Sequence, residues 1–567
     1  MKSLPLLMLL FAGIFTGLYA QSYNGDAEVA RQYAQWARQA MDEDRWSEAL
    51  TALERAADFA DVSSDISYLL AAVRLHEGKS RTSVVEALDR AVEINRWGSN
   101  SEAQALLLKA EQLIAMRNYS GAFVIIEQIG ENSDSAMLRL LALKGLALNS
   151  GNVQTLARFR SQLLAAMDRY PRDARPLRIF FEYARNTEPE LSDLPSSDLN
   201  LLELALRRLP FLLEIDPDLA WMAAPFMRNV EDARRLVASY RAAQVKPLPA
   251  SIPVALNLGL VGDIDAVEEL FGADNENSIL YRETIIDVYN LLRSEEGRIF
   301  FTRKLLSFSG VLFSDDDRDG IIESAAFYSS GAIEEFAYDR NQANVFDLRV
   351  LFDTGGVPVT SVYPLTGGTA AYVKWERYPS VEQVTLADEV FLFRPADFHF
   401  APVSFILLGG SVNAAGLLYP QPEYQFLTLT RRSLVSFCAS ISRPSVEFNG
   451  AVERIFLENG IPLQAEETLN GRQVSVTEFE RGIPVIQRVD LDLDGRMETV
   501  RRFRRPESDF SETFDYRSLI VSSESDWGDG RFMTGEMYLQ DGSVVYSWDM
   551  DGSGVFNYSE TETGREQ

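Results

Sequence analysis

Three nine-residue segments of this chain carry side-chain oxygens at the same spacing. Each has oxygen-bearing side chains at its positions 1, 3, 5 and 9 and a glycine at position 6. These residues are Asp315, Asp317, Asp319 and Glu323 in the first segment, Asp490, Asp492, Asp494 and Glu498 in the second, and Asp549, Asp551, Ser553 and Asn557 in the third. A weaker copy has Asp339, Asn341 and Asp347. Because the same spacing occurs three times, we predict that the three segments have the same chemical role.

That chemistry is the binding of calcium. Oxygens at alternate positions of a tight loop converge on one point, and glycine permits the left-handed backbone that brings the ninth residue back. Hard oxygen ligands without histidine or cysteine suit calcium. An EF-hand needs a glutamate at position 12, where these segments have Ala326 and Arg501. They resemble instead the nine-residue Asp loops that join β-strands in adhesion proteins. The alternative is that they are Asp-Gly turns that serve hairpin geometry and solubility and hold no ion.

Residues for catalysis are scarce. The chain has two histidines, His76 and His399, and no G-x-S-x-G motif. The sequence HEGKS ends like a phosphate-binding loop, but Val73 stands where that loop requires a glycine. We therefore predict a non-enzymatic protein with no catalytic residues and no cofactor besides structural calcium.

Charge and the N-terminal sequence limit the partners and the compartment. With 54 basic and 83 acidic side chains the net charge is −29, which argues against nucleic acid as a partner. Lys2, an apolar run to Leu18 and a small residue at Ala20 predict a secretory signal peptide over residues 1–20 and a mature chain that starts at or near Gln21; an uncleaved anchor is the alternative. No later stretch is apolar over 18 residues, so the mature chain is predicted to lack a transmembrane segment. We expect an exported protein of the periplasm or cell envelope.

From residue 27 the sequence shows a helical repeat. Small or apolar residues recur at fixed offsets in four copies: Tyr33, Ala37, Ala49, Leu53 and Ala56; Tyr68, Ala72, Val84, Leu88 and Ala91; Leu106, Ala110, Ala122, Ile126 and Ile129; and Leu143, Ala147, Phe159, Leu163, Ala166 and Pro171. The periods, measured at the second helix of each copy, are 35, 38 and 37 residues. Residues 27–172 resemble the tetratricopeptide-repeat family on these offsets. The resemblance implies stacked helical hairpins whose groove binds protein partners; unrelated helical hairpins are the alternative.

The pattern changes twice along the rest of the chain. Residues 186–310 contain amphipathic helical stretches out of register with the repeat, which predicts degenerate repeats or a helical adaptor. After Gly310, runs rich in Val, Phe, Tyr and Thr with glycine turns predict antiparallel β-hairpins. The predicted organisation is a signal peptide (1–20), a TPR-like helical solenoid (21–185), a helical adaptor (186–310) and a β-rich domain (311–567).

These features predict an exported scaffold or adaptor that grips a protein partner through its helical repeats. By analogy of architecture with exported repeat proteins of spirochaetes, a cell-envelope assembly such as a flagellar motor structure is one candidate setting. The alternative is an envelope protein that binds a carbohydrate or another ligand in its β-rich domain. The stretches FRPADFHF, VKWERYP and WDMDG, which combine aromatic with acidic residues, motivate that alternative.

Overall fold

In a computed structural model, the protein consists of two compact units. The structure describes residues 26–59, 63–187, 196–244, 248–272, 280–315, 320–364, 370–408, 418–423, 430–506, 514–526, 531–540 and 542–562. The first unit takes in the chain to Gly331 together with 337–346 and 407–417, and the second takes in 332–336, 347–406 and 418–567. The predicted signal peptide and Gln21 lie outside the described residues. Within the described residues, no helix has the length and apolar character needed to cross a bilayer.

Helices dominate the first unit. Their bounds are α1 (26–42), α2 (Trp46–Asp58), α3 (Ser64–His76), α4 (Arg81–Ile94), α5 (Glu102–Ala115), α6 (Tyr119–Ile126), α7 (Ser133–Ser150), α8 (Val153–Arg169), α9 (Arg175–Thr187), α10 (Ser196–Leu212), α11 (Leu219–Ala223), α12 (Val230–Ala243), α13 (Ile252–Asn257), α14 (Asp263–Leu270), α15 (Arg282–Leu291) and α16 (Glu295–Leu306).

The helical repeat predicted from the sequence is confirmed. Of its recurring positions, Tyr33, Tyr68 and Ala72 are partly buried, Pro171 is exposed, and all the others are buried. The pairs α3–α4, α5–α6 and α7–α8 pack as hairpins, and α4–α5 and α6–α7 contacts join one hairpin to the next. Contacts of α5 with α7 and of α7 with α9 continue the stack, which is the packing of a solenoid.

Local residue choices start and end these helices. The Ser101 hydroxyl accepts from the Gln104 amide while the Gln104 side chain accepts from the Ser101 amide, a capping box at the start of α5. Asn132 caps α7 in the same way with Ser135. At its other end, α7 stops at Gly151, whose φ of 59° is left-handed and closes the helix.

Ion pairs with one sequence spacing join successive repeats. Four such pairs among the described residues join positions 38 apart. Three of them are at least partly buried: Lys144 with Glu182 at 3.0 Å, Arg160 with Asp198 at 2.5 Å, and Arg178 with Asp216 at 2.6 Å. The fourth, Arg169 with Glu131, is exposed. The Asp198 side chain is 1% exposed, so its charge depends on Arg160 for compensation. The three partly buried pairs act as clamps between neighbouring hairpins.

The β-rich part contains these strands: β1 (Leu280–Tyr281), β2 (Gly310–Ser314), β3 (Ser324–Ser329), β4 (Ala332–Tyr338), β5 (Leu348–Phe352), β6 (Pro358–Pro364), β7 (Ala370–Arg377), β8 (Ser380–Leu386), β9 (Glu389–Leu392), β10 (Val403–Leu407), β11 (Leu418–Pro422), β12 (Ser440–Pro444), β13 (Val452–Glu458), β14 (Ile461–Leu469), β15 (Arg472–Glu480), β16 (Ile483–Val489), β17 (Thr499–Phe503), β18 (Ile520–Ser525), β19 (Thr534–Tyr538), β20 (Val544–Trp548) and β21 (Tyr558–Glu562). A further helix, α17 (Arg431–Phe437), precedes β12.

Most strands of the second unit form a large antiparallel sheet, which confirms the antiparallel β-rich fold class predicted from the sequence, whereas β10 and β11 pair separately. Consecutive strands pair from β5 to β9 and from β12 to β21, and β9 pairs with β12. The hairpins β13–β14, β14–β15 and β15–β16 turn at Asn459-Gly460, Asn470-Gly471 and Arg481-Gly482, where both residues of each pair have positive φ. That is the two-residue turn whose twist matches the flanking strands, and it explains why glycine recurs there.

Not all of the β-structure belongs to the second unit. The first unit includes β1, β2 and β3, with β1 parallel to β2 and β2 antiparallel to β3. The segment 337–346 also packs on the helices, since the Arg81 amide donates to the Ala343 carbonyl at 2.7 Å. The strand β2 begins at Gly310, where the sequence predicted a boundary, but the compact unit that contains the helices continues beyond that residue.

A buried polar cluster stabilises the sheet of the second unit. Glu453 and Glu467 are opposite each other on β13 and β14, and both are fully buried. Arg443 pairs with Glu453 and Arg517 with Glu467, each at 2.6 Å. The Tyr516 hydroxyl donates a hydrogen bond to Glu453. Burial of Tyr516 is the main cause that raises its pKa well above the usual value, and the negative charge of Glu453 is the second cause. Residues 514–519 therefore cover this face of the sheet, and the two buried glutamates beneath them are paired with arginines.

Candidate metal centre and aromatic cleft

The loop from Asp490 to Glu498 joins β16 to β17 and brings four carboxylates together. One oxygen from each of Asp490, Asp492, Asp494 and Glu498 lies within 4.8 Å of the others. Leu493 and Gly495 have φ of 63° and 107°, and these two positive values fold the loop back on itself. The sequence prediction that these four side chains share one loop and face one another is consistent with this geometry.

Backbone amides of the loop orient each carboxylate. Gly495 donates to Asp490 Oδ2 at 2.9 Å, and Leu491 donates to Glu498 Oε1 at 2.8 Å. Asp494 donates to Asp492 Oδ1 at 3.0 Å, and Arg496 donates to Asp494 Oδ1 at 2.8 Å. One oxygen of each carboxylate therefore accepts a hydrogen bond from a backbone amide, and the second oxygen is available to a ligand.

Two of these second oxygens are buried without a partner. Asp490 is 1% exposed, and its Oδ1 accepts no hydrogen bond from any described residue. The same is true of Glu498 Oε2. A buried carboxylate oxygen without a donor costs free energy unless something compensates it, and a cation among four carboxylates does so. Four acidic oxygen donors with no nitrogen or sulphur fit calcium.

The third segment repeats this geometry with fewer charges. Gly554 donates to Asp549 Oδ2 at 2.6 Å, as Gly495 does to Asp490, and Met550 donates to Asn557 Oδ1 at 2.9 Å. The Ser553 amide donates to Asp549 Oδ1 at 3.1 Å and to Asp551 Oδ1 at 3.0 Å. The Ser553 hydrogen bonds lower the pKa of Asp551. With two carboxylates in place of four, this loop has less negative charge to offer a cation.

The first segment is described in part. Gly320 donates to Asp315 Oδ2 at 2.9 Å, the same contact as in the other two loops. Asp317 and Asp319 lie outside the described residues. Glu323 is 3% exposed, and its Oε1 accepts from Arg117, in the turn between α5 and α6, and from Gln342 Nε2 at 2.9 Å. Glu323 is thus engaged in an ion pair within the helical unit, an arrangement that its position 9 in the segment does not predict.

The weaker copy also forms a closed turn. Asp339 is 3% exposed; its Oδ1 accepts from the Ala343 amide at 2.9 Å, and its Oδ2 from the Val345 amide at 3.1 Å. Gln342 and Asn344 have positive φ, as Leu493 and Gly495 do. Both oxygens of Asp339 serve the loop backbone, so this copy has a structural role.

Sequence reasoning missed two arginines beside the loops. Arg472 donates through Nη1 to the Leu493 carbonyl at 3.2 Å, and its Nη2 lies 3.5 Å from Asp490 Oδ2. Arg531 donates through Nη1 to the Gly552 carbonyl in the third loop. Each arginine precedes the first aspartate of its loop by 18 residues, a spacing that could have been read from the sequence.

A second candidate site is an aromatic cleft between α1 and α2. It has a volume of about 250 Å³ and is lined by Tyr33, Trp36, Ala40, Ser47, Glu48, Thr51, Ala52 and Arg55. The Tyr33 ring stacks between Trp36 and Phe59, with ring centroids 6.4 and 6.1 Å away. Trp36 is 59% exposed, which is unusual for the largest apolar side chain on a helix. The repeat pattern predicted Tyr33 as a packing residue and gave no signal for Trp36.

The aromatic stretches behind the carbohydrate alternative differ in exposure. Trp375 of VKWERYP is 5% exposed and Phe393 of FRPADFHF is 8% exposed, so both belong to the core. Trp548 of WDMDG stacks with Tyr546 at 6.3 Å and contacts Tyr558 at 5.6 Å on a partly open face of the sheet.

Comparisons with known proteins extend over both parts of the chain. No family profile matches the sequence. An uncharacterized protein of Treponema pallidum (strain Nichols) is 22% identical, in an alignment that covers 95% of this chain and 80% of that protein. Among solved structures, MamA from Desulfovibrio magneticus RS-1 is 14% identical with a TM-score of 0.27, covering 33% of this chain and 97% of MamA. A tetratricopeptide repeat protein from Parabacteroides merdae is 10% identical with a TM-score of 0.33, covering 49% of this chain and 99% of that protein. At such low scores, the assignment of helical repeats depends on the packing described above.

Proposed function

We propose that this protein is a non-enzymatic scaffold that binds a protein partner through its helical repeats. The observation that carries the proposal is the open aromatic cleft of Tyr33 and Trp36 on the first hairpin. A buried tryptophan would be explained by packing, but Trp36 leaves more than half of its surface in solvent. Exposed aromatic anchors in a pocket are typical of the residues that contribute most to protein–protein binding.

The walls of the cleft indicate the kind of segment that it accepts. Tyr33 and Trp36 provide an apolar floor, while Glu48 and Arg55 place one charge of each sign on the α2 side. Such a cleft suits one apolar side chain of a peptide segment with polar neighbours on both sides. The helical stack beyond α2 offers further surface for the rest of the partner.

The N-terminal sequence supports a proposal for the compartment. A signal peptide over residues 1–20 would place the scaffold in the periplasm or cell envelope, and a flagellar motor structure is one assembly of that compartment. The relative in Treponema pallidum aligns over 95% of this chain, which supports a protein in which the two units occur together. N-terminal sequencing of the protein from its host tests the export step, because cleavage before Gln21 is expected.

We further propose that the sheet unit is stiffened by calcium at the loop Asp490–Glu498. The buried unpartnered oxygens of Asp490 and Glu498 support this proposal, together with the convergence of four carboxylates. The ion would offset their mutual repulsion and fix β16 against β17. Dissociation constants of ~10⁻⁴–10⁻³ M are typical of such extracellular sites. The loops at Asp315 and Asp549 are secondary candidates for the same ion.

A substitution in the cleft tests the scaffold proposal. Trp36→Ala in the full chain is expected to reduce co-purification of the partner from host cells by about tenfold, as the loss of a central aromatic anchor does. Val153→Ala is the matched control, since Val153 is 78% exposed and starts α8. Equal partner recovery with the two variants would contradict a role for the cleft.

The open face with Tyr546, Trp548 and Tyr558 supports one other function, the binding of a carbohydrate. Sugars stack on exposed aromatic rings, and the acidic residues of the same hairpins can accept hydrogen bonds from sugar hydroxyls. Screening of the full chain on a glycan array, with Trp548→Ala as the variant, would separate this function from protein binding at Trp36.

A further inference from the structure

Arg472 lies across the loop that holds the four carboxylates. It begins β15, and its side chain reaches two polar groups of the loop, the Leu493 carbonyl and Asp490 Oδ2. The guanidinium can reach them because residue 495 is glycine: a Cβ there would stand 1.6 Å from Arg472 Nη2. The position of this arginine and the glycine at position 6 of the loop therefore depend on each other.

The third loop shares the hydrogen bonds of this arrangement. In both loops the first aspartate donates its amide to a carbonyl 16 residues earlier, Val474 for Asp490 and Met533 for Asp549, at 2.9 Å each. In both, an arginine two residues before that carbonyl donates to the carbonyl at position 4 of the loop, Leu493 or Gly552. Because these hydrogen bonds occur in both loops, they are a recurring feature of the hairpins and not a chance position of one side chain.

Charge explains what the arginine does in the second loop. Four carboxylates within 4.8 Å of one another repel strongly, and Arg472 places one positive charge against the buried member, Asp490. The guanidinium is on the Oδ2 side of Asp490, whereas the unpartnered oxygen is Oδ1. Arg472 therefore stabilises the loop without filling the position that a cation would take.

We propose that Arg472 is a built-in cation that holds the loop closed without metal and keeps the affinity for calcium low. This inference depends on the proposed calcium site. A single charge and a calcium ion separated by about 6 Å in a solvent-like dielectric repel each other by an amount equivalent to about tenfold in affinity. Weak binding lets the site respond to changes of calcium concentration instead of remaining filled.

Calcium titration of the full chain by calorimetry tests the proposal, with wild type, Arg472→Gln and Arg472→Lys compared. Arg472→Gln is expected to bind calcium five- to tenfold more tightly than wild type and to melt at a lower temperature in chelator. Its melting temperature in millimolar calcium should approach that of wild type. Arg472→Lys keeps the charge, so its affinity should remain within about twofold of wild type.

The outcomes separate this inference from the proposed site. Calcium binding by wild type with unchanged or weaker binding by Arg472→Gln would overturn the role of the arginine and leave the site intact. Binding by Arg472→Gln but not by wild type would support the arginine as a barrier to the ion. Binding by none of the three proteins would overturn both. A lower melting temperature for Arg472→Gln without a change of affinity would show that Arg472 only supports the fold.

Discussion

Replacing Asp490 with asparagine is expected to weaken calcium binding by about a hundredfold. Asp490 provides the buried member of the carboxylate cluster, and its unpartnered Oδ1 is shielded from water. Removing its charge takes away the strongest attraction for a divalent ion, because a buried charge is screened less than an exposed one. About 2.7 kcal/mol of binding free energy corresponds to that loss.

The same substitution should leave the metal-free protein nearly unchanged. The asparagine oxygen can still accept from the Gly495 amide, and the site loses a repulsive charge as it loses its pairing with Arg472. Melting curves in chelator and in millimolar calcium measure both effects. Wild type at tenfold to hundredfold excess over its dissociation constant should gain about 1.4–2.7 kcal/mol of stability, and Asp490→Asn should gain almost none.

The control for this variant is Asp388→Asn. Asp388 is an exposed aspartate in the turn between β8 and β9, away from the loop in sequence and in strand order. It should keep the full stabilisation by calcium. If Asp490→Asn retains the shift in melting temperature, calcium does not bind at this loop. If wild type shows no shift at any calcium concentration, the three segments are turns that serve hairpin geometry alone.

Replacing Asp198 with alanine is expected to destabilise the helical unit by about 3–4 kcal/mol. Asp198 accepts from Arg160 Nε at 2.6 Å and Nη2 at 2.5 Å, and Tyr183 donates to it at 3.3 Å. Without the carboxylate, the partly buried guanidinium of Arg160 has lost its counterion and the Tyr183 hydroxyl has lost an acceptor. Breaking one side of such a pair costs more than the pair contributes.

Chemical denaturation followed by circular dichroism measures this loss. Asp198→Asn is the matched comparison, because it keeps the shape and an acceptor while it removes the charge, and it should cost less than half as much. The pair joins α8 to α10, so its loss should also broaden the transition as neighbouring repeats uncouple. A cooperative transition with less than 1 kcal/mol of change for Asp198→Ala would contradict a clamp between repeats.

The helical repeats could be predicted because their signal is local. Small residues such as Ala49 and Ala122 at the helix crossings, and Leu53 or Ile126 one turn later, recur with the period of the structure, and all are buried. The turns of the sheet could be predicted equally well, because Gly460 and Gly482 occupy backbone conformations that favour glycine. Periodicity and turn chemistry depend on neighbours in sequence, which the chain displays directly.

Contacts between distant residues could not be predicted in this way. Glu323 stands at position 9 of its segment, as Glu498 does, yet Arg117 from the helical stack pairs with it. Those two residues are 206 positions apart, and no pattern in the sequence relates them. The 18-residue spacing from Arg472 to Asp490 is visible in the sequence, but the contact itself depends on β15 lying beside β16, which the spacing alone does not show. The exposure of Trp36 depends on the packing of α1 and α2, which the repeat offsets do not specify.

Site-specific photo-crosslinking in host cells tests the scaffold proposal most directly. A photoreactive residue at Thr51, in the wall of the aromatic cleft, is compared with one at Val153, which is also exposed, on α8. The proposal predicts a crosslinked adduct with one defined protein from position 51 and not from position 153, and it predicts that Trp36→Ala abolishes this adduct. An absence of adducts from position 51, or the same adducts from both positions, would contradict partner binding at the helical cleft.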